Sequence, residues 1–191
     1  MGFFAFKNDF RRKKLIFRFN FDINHINIMK LIILGESLSG KSVFLNRLKT
    51  GEFKENYEPT YGVGIENITV ETSKGVENCM VWDCGGKFEG LGSGYWKGTS
   101  GFLVFFSLEK DGGYKEALKT VNKIKDHYEE KCPPIVVVGN KCDLRFKQKE
   151  EKYITISSRS NYNLYKPFEI LLKKIRANRT HSKLRKTKSA E

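Results

Sequence analysis

Gly35-Glu36-Ser37-Leu38-Ser39-Gly40-Lys41-Ser42 follows the apolar run Met29-Lys30-Leu31-Ile32-Ile33-Leu34 and leads into Val43-Phe44-Leu45-Asn46-Arg47-Leu48. Phe44, Leu45 and Leu48 fall on one side of a helix. The octapeptide fits G-x-x-x-x-G-K-[ST] at every position, and it sits in the strand, loop and helix context that gives this pattern meaning. In such a loop successive backbone N–H groups form an anion nest, and the helix start adds partial positive charge. Lys41 then reaches the outer phosphates of a ligand, and the Ser42 hydroxyl ligates magnesium. The competing reading is a Gly-Ser turn ahead of an ordinary helix, so the rest of the chain has to decide.

At 191 residues there is room for one domain with a proper core, plus tails. Hydrophobic residues make up 39% and charged residues 30%, a soluble globular balance. No run approaches the ~18 apolar residues of a membrane span. Cys79, Cys84, Cys132 and Cys142 form no C-x-x-C pair and no cluster with histidine. They read as reduced thiols of a cytoplasmic or nuclear protein, with no zinc site. The net charge of +13 is concentrated in the two ends of the chain. Such basic tails suit acidic protein, RNA or a membrane surface, and the last can serve in nuclear import; the alternative is a solvated tail with no partner. Residues 1–28 are basic and rich in phenylalanine. Phe6 stands where a myristoylation signal needs Ser or Thr, and charges interrupt anything resembling a secretory leader. The expectation is a disordered arm, or a stretch upstream of a true translation start at Met29, ahead of a membrane-surface segment.

Residues 52–62 read as a loop stopped by Pro59. Residues 65–71 alternate as a half-buried strand does, Gly75 turns the chain, and residues 76–82 return as its antiparallel partner. That strand runs into Asp83-Cys84-Gly85-Gly86. A carboxylate at a strand's carboxyl end beside a phosphate loop suits a magnesium shell, and Gly86 lets a backbone N–H approach a terminal phosphate. Residues 101–108 form a nearly continuous apolar run, the mark of a central parallel strand. Residues 114–128 have helical spacing, Pro133-Pro134 stops the helix, and residues 135–138 are another buried strand. Asn140-Lys141-Cys142-Asp143 follows at once. The Asp143 carboxylate can accept two hydrogen bonds from guanine, whereas adenine would leave those groups unpaired. A short strand at residues 153–156 and a last helix over residues 161–176, with Pro167 in its first turn, complete the series. Strands alternating with helices predict an α/β, doubly wound, mostly parallel six-stranded sheet with helices on both faces. The expected organisation is an N-terminal extension at 1–28, a nucleotide-binding domain at 29–176 and a basic tail at 177–191.

With these motifs in this order, the chain resembles a Ras-superfamily small GTPase over residues 29–176. Ser157-Ser158-Arg159-Ser160-Asn161-Tyr162-Asn163, with Lys166-Pro167-Phe168, looks most like the Ran branch, as does Gly90-Leu91 followed by Gly94-Tyr95-Trp96; Glu36 and Ser37 in the phosphate loop look more like Rab. The resemblance implies GTP and GDP as ligands with Mg2+, the phosphates held by Gly35, Glu36, Ser37, Leu38, Ser39, Gly40, Lys41 and Ser42. It assigns the metal to Ser42, Thr60 and Asp83. Phe53 would stack on the base, Tyr57 would fold over the phosphates, and Gly86 would meet the γ-phosphate. Asn140, Lys141 and Asp143 would read guanine together with Ser157, Ser158 and Arg159. Lys41, Thr60, Gly86 and the residue at position 87 would carry hydrolysis. Effectors and regulators of a monomer would bind switch regions at residues 53–62 and 85–98, and resemblance to Ran implies a role in nucleocytoplasmic or intracellular transport.

Three departures from the family pattern matter. Lys87 stands where the family has its water-orienting glutamine, Leu38 is bulky where it prefers a small residue, and only residues 144–152 separate Asp143 from Tyr153, where it fits a helix. The expectations are a slow GTPase, obstruction of a catalytic finger from an activating protein, and loss of that helix. The competing functional classes are a pseudo-GTPase docking module without turnover, and a tail-mediated RNA or membrane binder with the domain as scaffold. In single-turnover hydrolysis, Lys87→Gln is expected to exceed the wild type by about tenfold or more from a baseline of ~10⁻⁴ per second or below. A slower Lys87→Ala variant would instead identify Lys87 as a cationic stabiliser.

Overall fold

The computed structural model describes residues 16–19, 28–55, 59–72, 75–86, 94–144 and 152–188. Among the described residues, seven strands and three α-helices follow one another as β1 (Ile16–Phe19), β2 (Ile28–Gly35), α1 (Lys41–Thr50), β3 (Val63–Thr72), β4 (Gly75–Cys84), β5 (Thr99–Ser107), α2 (Gly113–Tyr128), β6 (Ile135–Asn140), β7 (Ile154–Thr155) and α3 (Lys166–Lys188). They form one sheet in the order β1-β3-β4-β2-β5-β6-β7. The pairs β2–β4, β2–β5, β5–β6 and β6–β7 are parallel, whereas β3 runs antiparallel to β4 and to β1. The six-stranded, mostly parallel sheet expected from the sequence is present. The seventh strand, β1, comes from the N-terminal extension and lines the β3 edge, pairing Phe17 with Val70.

The apolar runs of the central strands have a simple cause. Side chains alternate across a strand, so a strand covered on both faces must be apolar throughout. Leu31 and Ile33 of β2 join Leu103 and Phe105 of β5, beneath Phe44 and Leu48 of α1 and Phe168, Leu171 and Ile175 of α3. Ile32 and Leu34 join Phe102, Val104 and Phe106 on the opposite face, beneath Ala117, Val121 and Ile124 of α2. Phe44 is the hinge pin of the first layer. Its ring lies 5.0 Å from Phe105 and is stacked 5.9 Å from Phe168.

The helix ends follow the same chemistry. α1 closes on Gly51, whose N–H returns to Arg47 O at 3.0 Å. α2 carries Glu116 in its first turn and Lys125 and His127 in its last, matching its dipole. α3 continues through residue 176 to Lys188, so residues 177–188 of the expected tail are helical. No helix among the described residues is long and apolar enough to cross a membrane. The four cysteines are free, and burial pushes the thiols of Cys79 and Cys84 up to about 12 and about 11. Residues 145–151 lie outside the described residues, and with them the expected loss of a helix between Asp143 and Tyr153; residues 1–15 and 20–27 do also, with most of the expected N-terminal arm.

Phe44→Ala is expected to cost about 3–5 kcal/mol of stability. Urea unfolding should show this as a lower midpoint at unchanged slope.

Candidate nucleotide-binding site

The phosphate loop, the Asp83–Gly86 turn and the Asn140–Asp143 turn leave the carboxyl ends of β2, β4 and β6, where an open parallel sheet gathers its ligand, and the Thr60 loop between α1 and β3 and the Ser157–Arg159 loop beyond β7 complete the site. Between β2 and α1 the chain turns through Glu36 to Ser39. Ser39 Oγ donates to Glu36 O at 2.8 Å and braces the turn. Gly40 caps α1 with φ +85°, and a Cβ there would meet Asn140 Nδ2 at 2.4 Å, so only glycine fits. No side chain caps this helix start, which leaves its first N–H groups for an anion. Leu38 adopts φ +66° and is 57% exposed on the rim.

Lys41 is only 6% exposed, and its ammonium donates to Gly35 O and Glu36 O, both at 2.8 Å. Burial lowers its pKa, and the nearby Asp83 carboxylate opposes that shift. Ser42 Oγ donates to Asp83 Oδ2 at 2.5 Å and lies 2.7 Å from Thr60 Oγ1. The other Asp83 oxygen is buried without a hydrogen-bond partner, and burial raises the pKa of this carboxyl against the pull of Ser42 and Lys41. Three oxygen donors and an orphaned carboxylate oxygen fit a hard divalent cation such as magnesium. Gly86 packs on the phosphate loop: a Cβ there would meet Ser37 N at 2.1 Å. Gly85 N–H donates to Gly62 O at 2.9 Å, tying the Asp83–Gly86 turn to the Thr60 loop.

The other half of the cleft is organised by Asn140, which is 1% exposed. Its Nδ2 donates to Ser39 O at 3.1 Å. Its Oδ1 accepts from Lys141 N–H at 2.8 Å and from Ser158 N–H at 3.1 Å. Asp143 accepts from Ser157 Oγ at 2.5 Å, and Ser157 is itself fully buried. Lys141 adopts φ +66° and bonds Glu109 at 3.3 Å. Arg159 lies across the far wall, paired with Glu55 at 2.8 Å and 5.9 Å from the Phe53 ring.

These elements enclose one cleft of about 1070 Å³, reaching from the phosphate loop and Thr60 to Phe53, Asp143 and Arg159. That volume suits a nucleotide-sized ligand. The structure thus brings together Ser37, Leu38, Gly40, Lys41, Ser42, Phe53, Thr60 and Gly86 with Asn140, Lys141, Asp143, Ser158 and Arg159 along its wall. Gly35, Glu36, Ser39, Asp83 and Ser157 stand directly behind it through the bonds above. The N–H of Ser158, expected to meet the base, is directed to Asn140. Tyr57 and Lys87 lie outside the described residues. Sequence reasoning missed the ion pairs of Glu55, Glu109 and Lys110, whose partners lie far along the chain. It also missed Leu144, an exposed residue on the rim beside Asp143.

A sequence model of the Ras family matches residues 30–177. The chain belongs to the Ras family of small GTP-binding proteins. In this Ras-family domain the match begins inside β2 and ends inside α3, so it covers every loop of the cleft.

Proposed function

We propose that this Ras-family protein is a magnesium-dependent guanine-nucleotide switch of Ran-like and Rab-like character with slow GTP hydrolysis. The observation that carries the reading is the shared cleft: the anion nest around Lys41 and the base-facing Asp143 line one cavity. The Asp143 carboxylate would accept the two hydrogens on the guanine edge, and Phe53 and Arg159 would flank the ring. Ser42, Thr60 and Asp83 would hold magnesium, which supplies charge neutralisation on the phosphate oxygens. Thr60 belongs to the loop that Gly85 also binds, so contacts at the terminal phosphate bear on residues 59–62 and 85–86 together. Those segments are the surfaces offered to effectors and regulators.

Slow hydrolysis follows from Lys87. A glutamine amide has both an acceptor and donors with which to orient water, whereas an ammonium has donors only. Leu38 on the rim crowds the approach of a catalytic finger from a second protein. The Ran-like sequence features support a role in nucleocytoplasmic or intracellular transport, in the cytoplasm and nucleus, by a monomer. A second reading adds a polyanionic partner such as RNA. It is favoured by α3, whose residues from Ala177 to Lys188 include Arg179, Lys183, Arg185, Lys186 and Lys188 and no acid.

Mass identification of the copurified nucleotide is expected to return GTP or GDP, decaying over hours; ATP, or no nucleotide, overturns the reading. Asp143→Asn should lower GDP affinity by about 100-fold or more and admit the xanthine nucleotide, because an amide donor now faces the ring position that bears a carbonyl. For the second reading, RNA affinity should fall steeply with salt and vanish when residues 177–191 are removed.

A further inference from the structure

One turn carries two opposite charges to two different loops of the cleft. Residues 107–113 join β5 to α2, and their backbone is pinned. Lys110 N–H donates to Ser107 O at 3.3 Å, Gly113 N–H to Lys110 O at 3.2 Å, and Leu108 N–H to Asn140 O at 2.9 Å. From this turn the Lys110 ammonium bonds the Glu36 carboxylate in the phosphate loop. The neighbouring Glu109 accepts from Lys141 at 3.3 Å. The Glu36 bond raises the pKa of Lys110, and the second Glu36 oxygen is buried without a hydrogen-bond partner.

By charge alone, a carboxylate is misplaced in an anion-binding loop. The loop holds its ligand with N–H groups, a helix start and a buried ammonium, and a fixed negative charge in the same turn repels that ligand. Lys110 is the cation bonded to Glu36, and its backbone is fixed by the hydrogen bonds of the turn. We infer that Lys110 is an affinity-setting positioning residue. It cancels the Glu36 charge beside the phosphates and so governs how long the nucleotide stays. This rests on the guanine-nucleotide reading above. The Lys110 side chain is 60% exposed, so its influence is moderate and sensitive to salt.

The test is release of a fluorescent GDP analogue in magnesium at low salt. Lys110→Ala is expected to speed release roughly fivefold. Glu36→Gln should slow it, because Lys110 then faces the phosphates unneutralised. The double variant Glu36→Gln/Lys110→Ala should return close to the wild type, and about 0.5 M salt should shrink all these differences. Release unchanged in Lys110→Ala overturns the inference. So does a Glu36→Gln variant that releases faster than the wild type, since the bond would then matter for loop shape and its charge would not. A wild-type protein that binds neither GDP nor GTP overturns the nucleotide reading itself, and the role of Lys110 with it. Tight wild-type binding with an indifferent Lys110→Ala overturns the role of Lys110 alone.

Discussion

The side chain of Asn140 joins the two halves of the cleft. It donates to Ser39 in the phosphate loop, which lies 101 residues earlier in the chain, and accepts from Ser158 in the loop beyond β7. Both bonds are buried, so breaking either would strand a polar group away from water, at about 1–3 kcal/mol. Gly40 completes the constraint, since its missing Cβ is what admits the amide. The phosphate loop and the Asp143–Ser158 wall of the cleft are therefore tied together through the Asn140 amide. On the reading proposed above, that tie would select one extended arrangement of a nucleotide from base to phosphate.

The sequence made much of this legible for one reason: the chemistry is local. A nest, a metal carboxylate at a strand end and a base-reading carboxylate each need a few consecutive residues. The runs in β5 and β6 declared themselves because burial on both faces forbids polar side chains. What stayed hidden was set by pairing over distance. β1 sits on an edge, where its position depends on β3 as much as on its own residues. The reading of α3 ended near residue 176 because the inward stripe of Phe168, Leu171, Leu172 and Ile175 ends there. The helix runs on because no Gly or Pro interrupts residues 177–188, and cations near a helix carboxyl end are favoured by the dipole. The ion pairs of Glu36, Glu109 and Glu55 are legible in no window, since each partner lies far away and surface charges are common.

Charge explains how these parts work together. A polyphosphate brings several negative charges into a cleft that already holds Asp83 and, just behind its rim, Glu36. Lys41 is buried and meets some of that charge, but its ammonium also serves Gly35 and Glu36 carbonyl oxygens. Asp83 is protected by Ser42 on one oxygen and unsatisfied on the other. A divalent cation would satisfy that oxygen and the phosphates at once. Glu36 has no such remedy, because it belongs to the loop and not to the metal shell. On the inference above, its charge would be met from the protein side, where the β5–α2 turn brings Lys110 against it. The two carboxylates thus have different answers, one in the ligand and one in the fold. Only the first changes when nucleotide and metal come and go. On the reading proposed above, coupling from the terminal phosphate would use the Thr60–Ser42–Asp83 cluster and the Gly85–Gly62 bond, while Glu36 and Lys110 would set the standing affinity against which that coupling operates.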